Sequence, residues 1–159
     1  ACQVDGTDLD DEADDEALEE ETGEATAASS FVDLRFGGVQ IEANGVYYPV
    51  APGGSVNLPC TTSTFRVHYS YENHGDLTAP AHQHTSVFGG PAVYMKPVGA
   101  LPGGVGMFAT FIHSIGSKPA NIYTSLSIKL DDPSIIGELY ENNNAFSANV
   151  RRICLAFPI

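Results

Sequence analysis

Basic side chains are scarce: seven Lys and Arg among 159 residues, against twenty Asp and Glu. So few cations, scattered along the chain, exclude a nucleic-acid groove, which needs a concentrated basic stripe. No apolar run approaches the ~18 residues of a membrane span. Neither a Gly-rich phosphate loop between strand and helix, nor a Gly-x-Ser-x-Gly elbow, nor a zinc-type cysteine pair is present. The glycines Gly103, Gly104 and Gly106 follow Pro102 in a turn, with no helical pattern after them. No stretch offers a long amphipathic helix, and Ile135 to Tyr140 has room for a turn at most. The usual signatures of phosphate, acyl-transfer and structural-zinc chemistry are therefore missing.

The acidity that remains is local. Twelve of the twenty acids fall between Asp5 and Glu24, a stretch with no base, and the formal charge is −13. Removing those twelve leaves −1 for the rest of the chain, which carries eight acids and seven bases. Like charges at this density repel, and only Val4, Leu9 and Leu18 offer apolar anchorage. Residues 1–30 thus read as an acidic N-terminal extension, a tether that is solvated or ordered by a partner, and residues 31–159 as one domain.

That domain reads as all-β. Phe31 to Phe36 alternates and Gly37-Gly38 is expected to break it. Val39 to Ala43 and Val46 to Val50 flank Asn44-Gly45, the favoured two-residue hairpin turn. Phe65, Val67, Tyr69 and Tyr71 share one face of a further strand, with Arg66, His68, Ser70 and Glu72 opposite. Thr85 to Phe88, Ala92 to Lys96 and Met107 to His113 add three more. From Ala120, Ile122, Thr124, Leu126, Ile128 and Leu130 form one face, until Asp131-Asp132-Pro133 stops the strand. In the last strand, Phe146, Ala148 and Val150 differ in parity from Ile153, Leu155 and Phe157, so a bulge is expected at Arg151-Arg152. Seven to nine short strands with Gly/Pro punctuation mean a sandwich or a barrel.

Strand, Asp132-Pro133, a short apolar stretch, then Glu138, Glu141, Asn143 and Asn144 before a final strand resembles the cell-adhesion-related domain found in bacteria (CARDB). A second element, a strand ending in Asn-x-Gly, is matched by Asn73 and Gly75 at the close of Val67 to Tyr71. The resemblance covers residues 31 to 157 and implies an immunoglobulin-like β-sandwich in which Asn73, Gly75, Asn143 and Asn144 are corner devices. It departs from the pattern across residues 76 to 119 and in its cysteines. Its implied function is noncatalytic: an exported surface module for adhesion, ligand binding or assembly, with a protein or cell-surface ligand, or a second copy of itself, as partner.

Three cysteines bear on export. Cys60 precedes the Asn-x-Gly strand and Cys154 lies in the last strand; a sandwich can bring the two together, so they are expected to be bonded outside the cell. The alternative is two buried thiols in a reducing compartment. Ala1-Cys2 is similar to the end of a bacterial lipoprotein processing site, although Ala1 still precedes the cysteine. Cys2 is therefore a candidate for a lipid or an intermolecular link, and a membrane enters only through such a lipid.

Two sets of polar residues remain as candidate ligand sites. Asp131, Asp132, Glu138 and Glu141 offer hard oxygens for calcium, against the simpler reading that they bond backbone amides or meet solvent. A catalytic role for Glu138 and Glu141 is the weaker option. His82 and His84 share a face, and His68, His74 and Asp76 are near in sequence, a set suited to a transition metal. The simpler reading is an exposed polar edge with ordinary histidines. Two alternatives to the adhesion module follow: a metal-binding protein using these histidines, and a subunit of an extracellular polymer joined by its N-terminal segment or an edge strand.

Overall fold

Asn44 and Gly45 take positive φ, 52° and 82°, as a two-residue turn between right-twisted strands requires. They join β1 (Leu34–Ala43) to β2 (Val46–Pro49) in the expected hairpin, with Ala43 opposite Val46. The computed structural model describes residues 30–132, 134, 136, 137 and 144–155. The acidic extension, Cys2, Glu138, Glu141, Asn143 and Phe157 lie outside the described residues. Seven further strands follow: β3 (Ser55–Pro59), β4 (Thr64–Asn73), β5 (His82–Phe88), β6 (Val93–Val98), β7 (Gly106–Ser114), β8 (Thr124–Lys129) and β9 (Ala145–Ile153).

They form two sheets, β2-β1-β4-β7 and β3-β9-β8-β5-β6. All pairings are antiparallel except β3 with β9, which run parallel from Ser55↔Asn149 to Pro59↔Ile153. Consecutive strands change sheet between β2 and β3, β3 and β4, β4 and β5, β6 and β7, and β7 and β8, connectivity compatible with an immunoglobulin-like sandwich. Among the described residues there is no helix.

Alternation puts the core between the sheets. Leu34, Ile41, Phe65, Val67 and Tyr69 from the first sheet face Leu126, Ile128, Phe146 and Val150 from the second, all buried. Rings meet across the gap: Phe36, which lies 5.9 Å from Tyr69 of its own sheet, is 5.8 Å from Phe146 of the other, and Phe65 meets Phe88 edge-on at 5.0 Å.

Three local expectations need correction. Gly37-Gly38 does not end the strand; β1 runs through it with a register shift between Phe36 and Val39. The Gly38 N–H donates to Ser70 Oγ at 2.8 Å, and a Cβ on Gly37 would strike that same oxygen. The two glycines thus make a bulge that lets β4 approach. At the other end of the chain, no bulge forms at Arg151-Arg152. Parallel pairing with β3 holds the register through Ile153, and Cys154 is fixed beyond it, so Leu155 is 73% exposed. Finally, β8 begins only at Thr124, because Asn121 turns with φ of 63°, and Ile122 is exposed instead of facing the core.

Cys60 and Cys154 are bonded, with Cα atoms 4.7 Å apart. The bridge closes the end of the β3–β9 pair.

Candidate functional site

Position parity on β4 and β5 drives polar groups as well as apolar ones into the core. Tyr69 on β4 and His84 on β5 face each other from opposite sheets, 1% and 0% exposed. Tyr69 Oη lies 2.7 Å from His84 Nδ1, His84 Nε2 lies 3.1 Å from His82 Nε2, and His82 Nδ1 lies 2.9 Å from the Pro80 carbonyl. A carbonyl only accepts, so His82 carries its proton on Nδ1 and accepts at Nε2. His84 must then donate from Nε2 and accept at Nδ1, which leaves Tyr69 as the donor. Every proton along this row of hydrogen bonds has one place. Burial, helped by His82 and Lys96, pushes His84 down to about 3, and burial with Tyr71 nearby raises the Tyr69 phenol. Both groups are neutral at ordinary pH.

A third buried imidazole, His113 on β7, accompanies Ser86 on β5 at 2.7 Å between Nε2 and Oγ. Phe65, Phe88 and Tyr94 pack around it, and burial lowers it to about 4. Sequence reasoning missed its role. The inward parity it shares with Phe111 was the available signal.

The expected histidine set is divided among separate places. His82 and His84 do share a face, but they are buried between the sheets instead of lying on an exposed edge, because β5 is flanked by both β8 and β6. His68 lies on the opposite, outer face of β4. His74 meets Glu72 at 3.0 Å, and Asp76 accepts the Phe31 N–H at 2.7 Å. Among the described residues no group of three or more His, Cys, Asp or Glu is placed to hold a metal.

In the corner after β8, Asp131 is buried and accepts the Ile136 N–H at 2.8 Å, and Asp132 accepts the Thr85 hydroxyl at 2.8 Å. Asn144 is buried, and its carbonyl accepts the Leu130 N–H at 2.8 Å. Asn73 is the more complete device. Its Oδ1 accepts from the N–H groups of Asp33 and Gly75, and its Nδ2 donates to the carbonyls of Leu77 and Leu101. Gly75 is required beside it, since a Cβ there would run into the Phe31 carbonyl.

The outer face of β2-β1-β4-β7 is where polar and apolar groups meet solvent together. At its centre His68 Nε2 donates to Glu42 Oε1 at 2.8 Å, and the Thr110 hydroxyl donates to Nδ1 at 2.9 Å. Tyr47 on β2 lies 5.7 Å from the His68 ring, and Arg66 is 3.9 Å from Glu42. A cleft of about 200 Å³ runs between Gln40, His68 and Phe108. Phe108 is 86% exposed, and Tyr47 and Ile112 are more than half exposed. Single exposed apolar residues are ordinary, but a cluster around oriented hydrogen-bonding groups has the make-up of a binding surface.

No protein-family model matches the chain, and no curated protein matches it by sequence. Solved structures do match. The crystal structure of the CARDB domain of a Pyrococcus furiosus protein, in complex with di-metal ions, is 19% identical, with a TM-score of 0.54, over 89% of this chain and 100% of that one. The solution NMR structure of that domain gives the same identity and TM-score over 78% of this chain and 97% of the other. The fold is therefore that of CARDB domains, as the Asn-x-Gly strand and the corner implied.

Proposed function

We propose that this immunoglobulin-like sandwich is a noncatalytic surface module, exported and displayed outside the cell, which binds a protein or other cell-surface ligand through the outer face of β2-β1-β4-β7. The observation that carries the reading is the cluster of Tyr47, His68, Phe108 and Ile112 on that face, exposed around the Glu42–His68–Thr110 hydrogen bonds. Aromatic rings supply contact area at low entropy cost, and the fixed polar groups supply orientation. Export is supported by the Cys60–Cys154 bridge, which persists in an oxidising compartment.

Hydroxyl, imidazole and carboxylate in a row also occur in acyl-transfer enzymes. Such a site needs N–H donors aimed at the developing oxyanion. Here the amides beside Thr110 belong to a regular strand paired with β4 and lie in the plane of the sheet, which favours binding over turnover.

The test is retention of the fluorescently labelled protein on the surface of its producing cells. Tyr47→Ala and His68→Ala should each reduce the apparent affinity about tenfold, the effect of ~1.4 kcal/mol. Both variants keep the core, so cooperative melting is expected of both, unshifted for the exposed Tyr47→Ala and lowered a little for His68→Ala, which loses the bonds to Glu42 and Thr110. Retention equal to that of the parent for both would remove this face from consideration.

A further inference from the structure

Four strand edges are open among the described residues: β2 and β7 in one sheet, β3 and β6 in the other. Three of them are blunted. β2 has four residues and ends in Pro49, β3 has five and ends in Pro59, and β6 carries Lys96 and Pro97. Short length, proline and lysine are the usual protections of an edge. β7 has none of these. Its nine residues, Gly106 to Ser114, read GMFATFIHS, with no Lys, Arg, Asp, Glu or Pro. It also carries Met107, Phe108 and Ile112, which are 49%, 86% and 54% exposed.

Which amides face outward follows from the ladder. The Asn73 N–H donates to the Val105 carbonyl, and the Ile115 N–H donates to the Ser63 carbonyl. Both contacts continue the β4–β7 register that pairs Tyr71 with Met107 and Phe65 with His113. Hydrogen-bonded positions alternate along an antiparallel pair. Met107, Ala109, Phe111 and His113 are therefore bonded to β4, while Gly106, Phe108, Thr110, Ile112 and Ser114 aim their N–H and C=O groups at the open edge.

We propose that this edge pairs with the same edge of a second copy, antiparallel and two-fold symmetric about Thr110. Thr110 is the midpoint of the strand, so this register uses its whole length. It sets Thr110 against Thr110, Phe108 against Ile112, and Gly106 against Ser114 of the other copy. All five outward residues are then satisfied, in about ten hydrogen bonds. The facing side chains are apolar or hydroxyl, and no like charges meet. A two-fold pairing of identical edges closes on itself, so it yields a dimer with a continuous eight-stranded sheet and no open polymer. A single strand edge makes a narrow contact, which places the dissociation constant on the order of 10–100 µM.

The pairing goes beyond the ligand-binding reading and does not rest on it. Tyr47→Ala, on the far strand of the sheet, should lower cell-surface retention while leaving association unchanged. Sedimentation of the full chain carrying Cys2→Ser, from about 5 µM to about 500 µM, should show monomer passing to dimer. Ile112→Lys, at an exposed position, should keep the fold and raise the dissociation constant at least tenfold. Thr110→Cys in the same background should yield a covalent dimer on mild oxidation, because hydrogen-bonded partners have Cα atoms ~5.5 Å apart, within disulfide reach. Met107→Cys, remote from its own copy in this register, should not. A chain that stays monomeric throughout, an association that ignores Ile112→Lys, or cross-linking at residue 107 in preference to 110 would overturn the proposal.

Discussion

Tyr69 and His84 join the two sheets by a hydrogen bond that buries both its ends: the phenol donates to Nδ1 across the core at 2.7 Å. Elsewhere the sheets meet mostly through apolar contact. This bond fixes the tautomer of His84 and, through it, that of His82.

Tyr69→Phe removes the donor and keeps the ring. His84 Nδ1 is then left as a buried acceptor without its partner, and the expected cost is about 1–3 kcal/mol. Urea unfolding of the variant measures it. A loss under ~0.5 kcal/mol would mean that a water takes the place of the hydroxyl.

Acid should weaken the fold before the carboxylates titrate. His84 and His113 are held neutral by burial, at about 3 and about 4, whereas an imidazole in the unfolded chain has its ordinary value of ~6.5. Above that value both states are neutral and the full stability is present. As pH falls below it, the unfolded chain takes up protons that the native one refuses. Stability should therefore drop by up to ~1.4 kcal/mol per pH unit for each histidine, levelling off near the native values. Unfolding midpoints between pH 7.5 and pH 4 test this, and a flat profile would show that both imidazoles reach water.

Asn73→Ala removes four hydrogen bonds at once, those with the N–H groups of Asp33 and Gly75 and with the carbonyls of Leu77 and Leu101, of which the Leu101 carbonyl keeps the Ala79 N–H. A loss of roughly 3 kcal/mol or more is expected. Gly75→Ala should destabilise for a separate reason, the clash of its Cβ with the Phe31 carbonyl, by about 1–3 kcal/mol. Calorimetry of both variants would show whether the corner behaves as one unit.

Reduction of Cys60–Cys154 releases a loop whose ends are 94 residues apart. In the chain-entropy picture that is worth about 4–5 kcal/mol. Thiol labelling after denaturation without reductant should find neither cysteine, and added reductant should lower the unfolding midpoint accordingly.

Much of the fold was legible because its signals are local. Asn44-Gly45 needs only its own backbone preference to make the hairpin, and the alternation of Phe65, Val67, Tyr69 and Tyr71 names its buried face. The corner of Asn73 and Gly75 was legible through resemblance. What two distant strands do to each other was not. Parity marks His84 and His113 as inward, but nothing local on β5 or β7 says that Tyr69 will partner the one and Ser86 the other, so His82 and His84 read as an exposed edge or part of a metal set. Gly37-Gly38 read as a stop because a bulge and a break use the same residues; the Ser70 hydroxyl beneath them decides. The Glu42–His68–Thr110 arrangement spans three strands, and its register exists only once β1, β4 and β7 are side by side.

The place of the disulfide also settles how the domain would answer a pull between its two ends. Tension entering near residue 154 crosses directly to Cys60 and leaves along the chain toward residue 30. β4 to β9 lie inside the closed loop and carry none of it. Only β1 to β3 can be drawn out, roughly 30 residues or ~100 Å of slack at ~3.3–3.6 Å per residue, where the unbridged chain would yield about four times as much. The β7 edge and the part of the core carried by β4 to β9 lie within the loop, whereas Glu42 and Tyr47 of the His68 face leave with the first hairpin. A pull would thus open the proposed ligand face first, and the bridge would halt the unfolding there, like a stop on a spring.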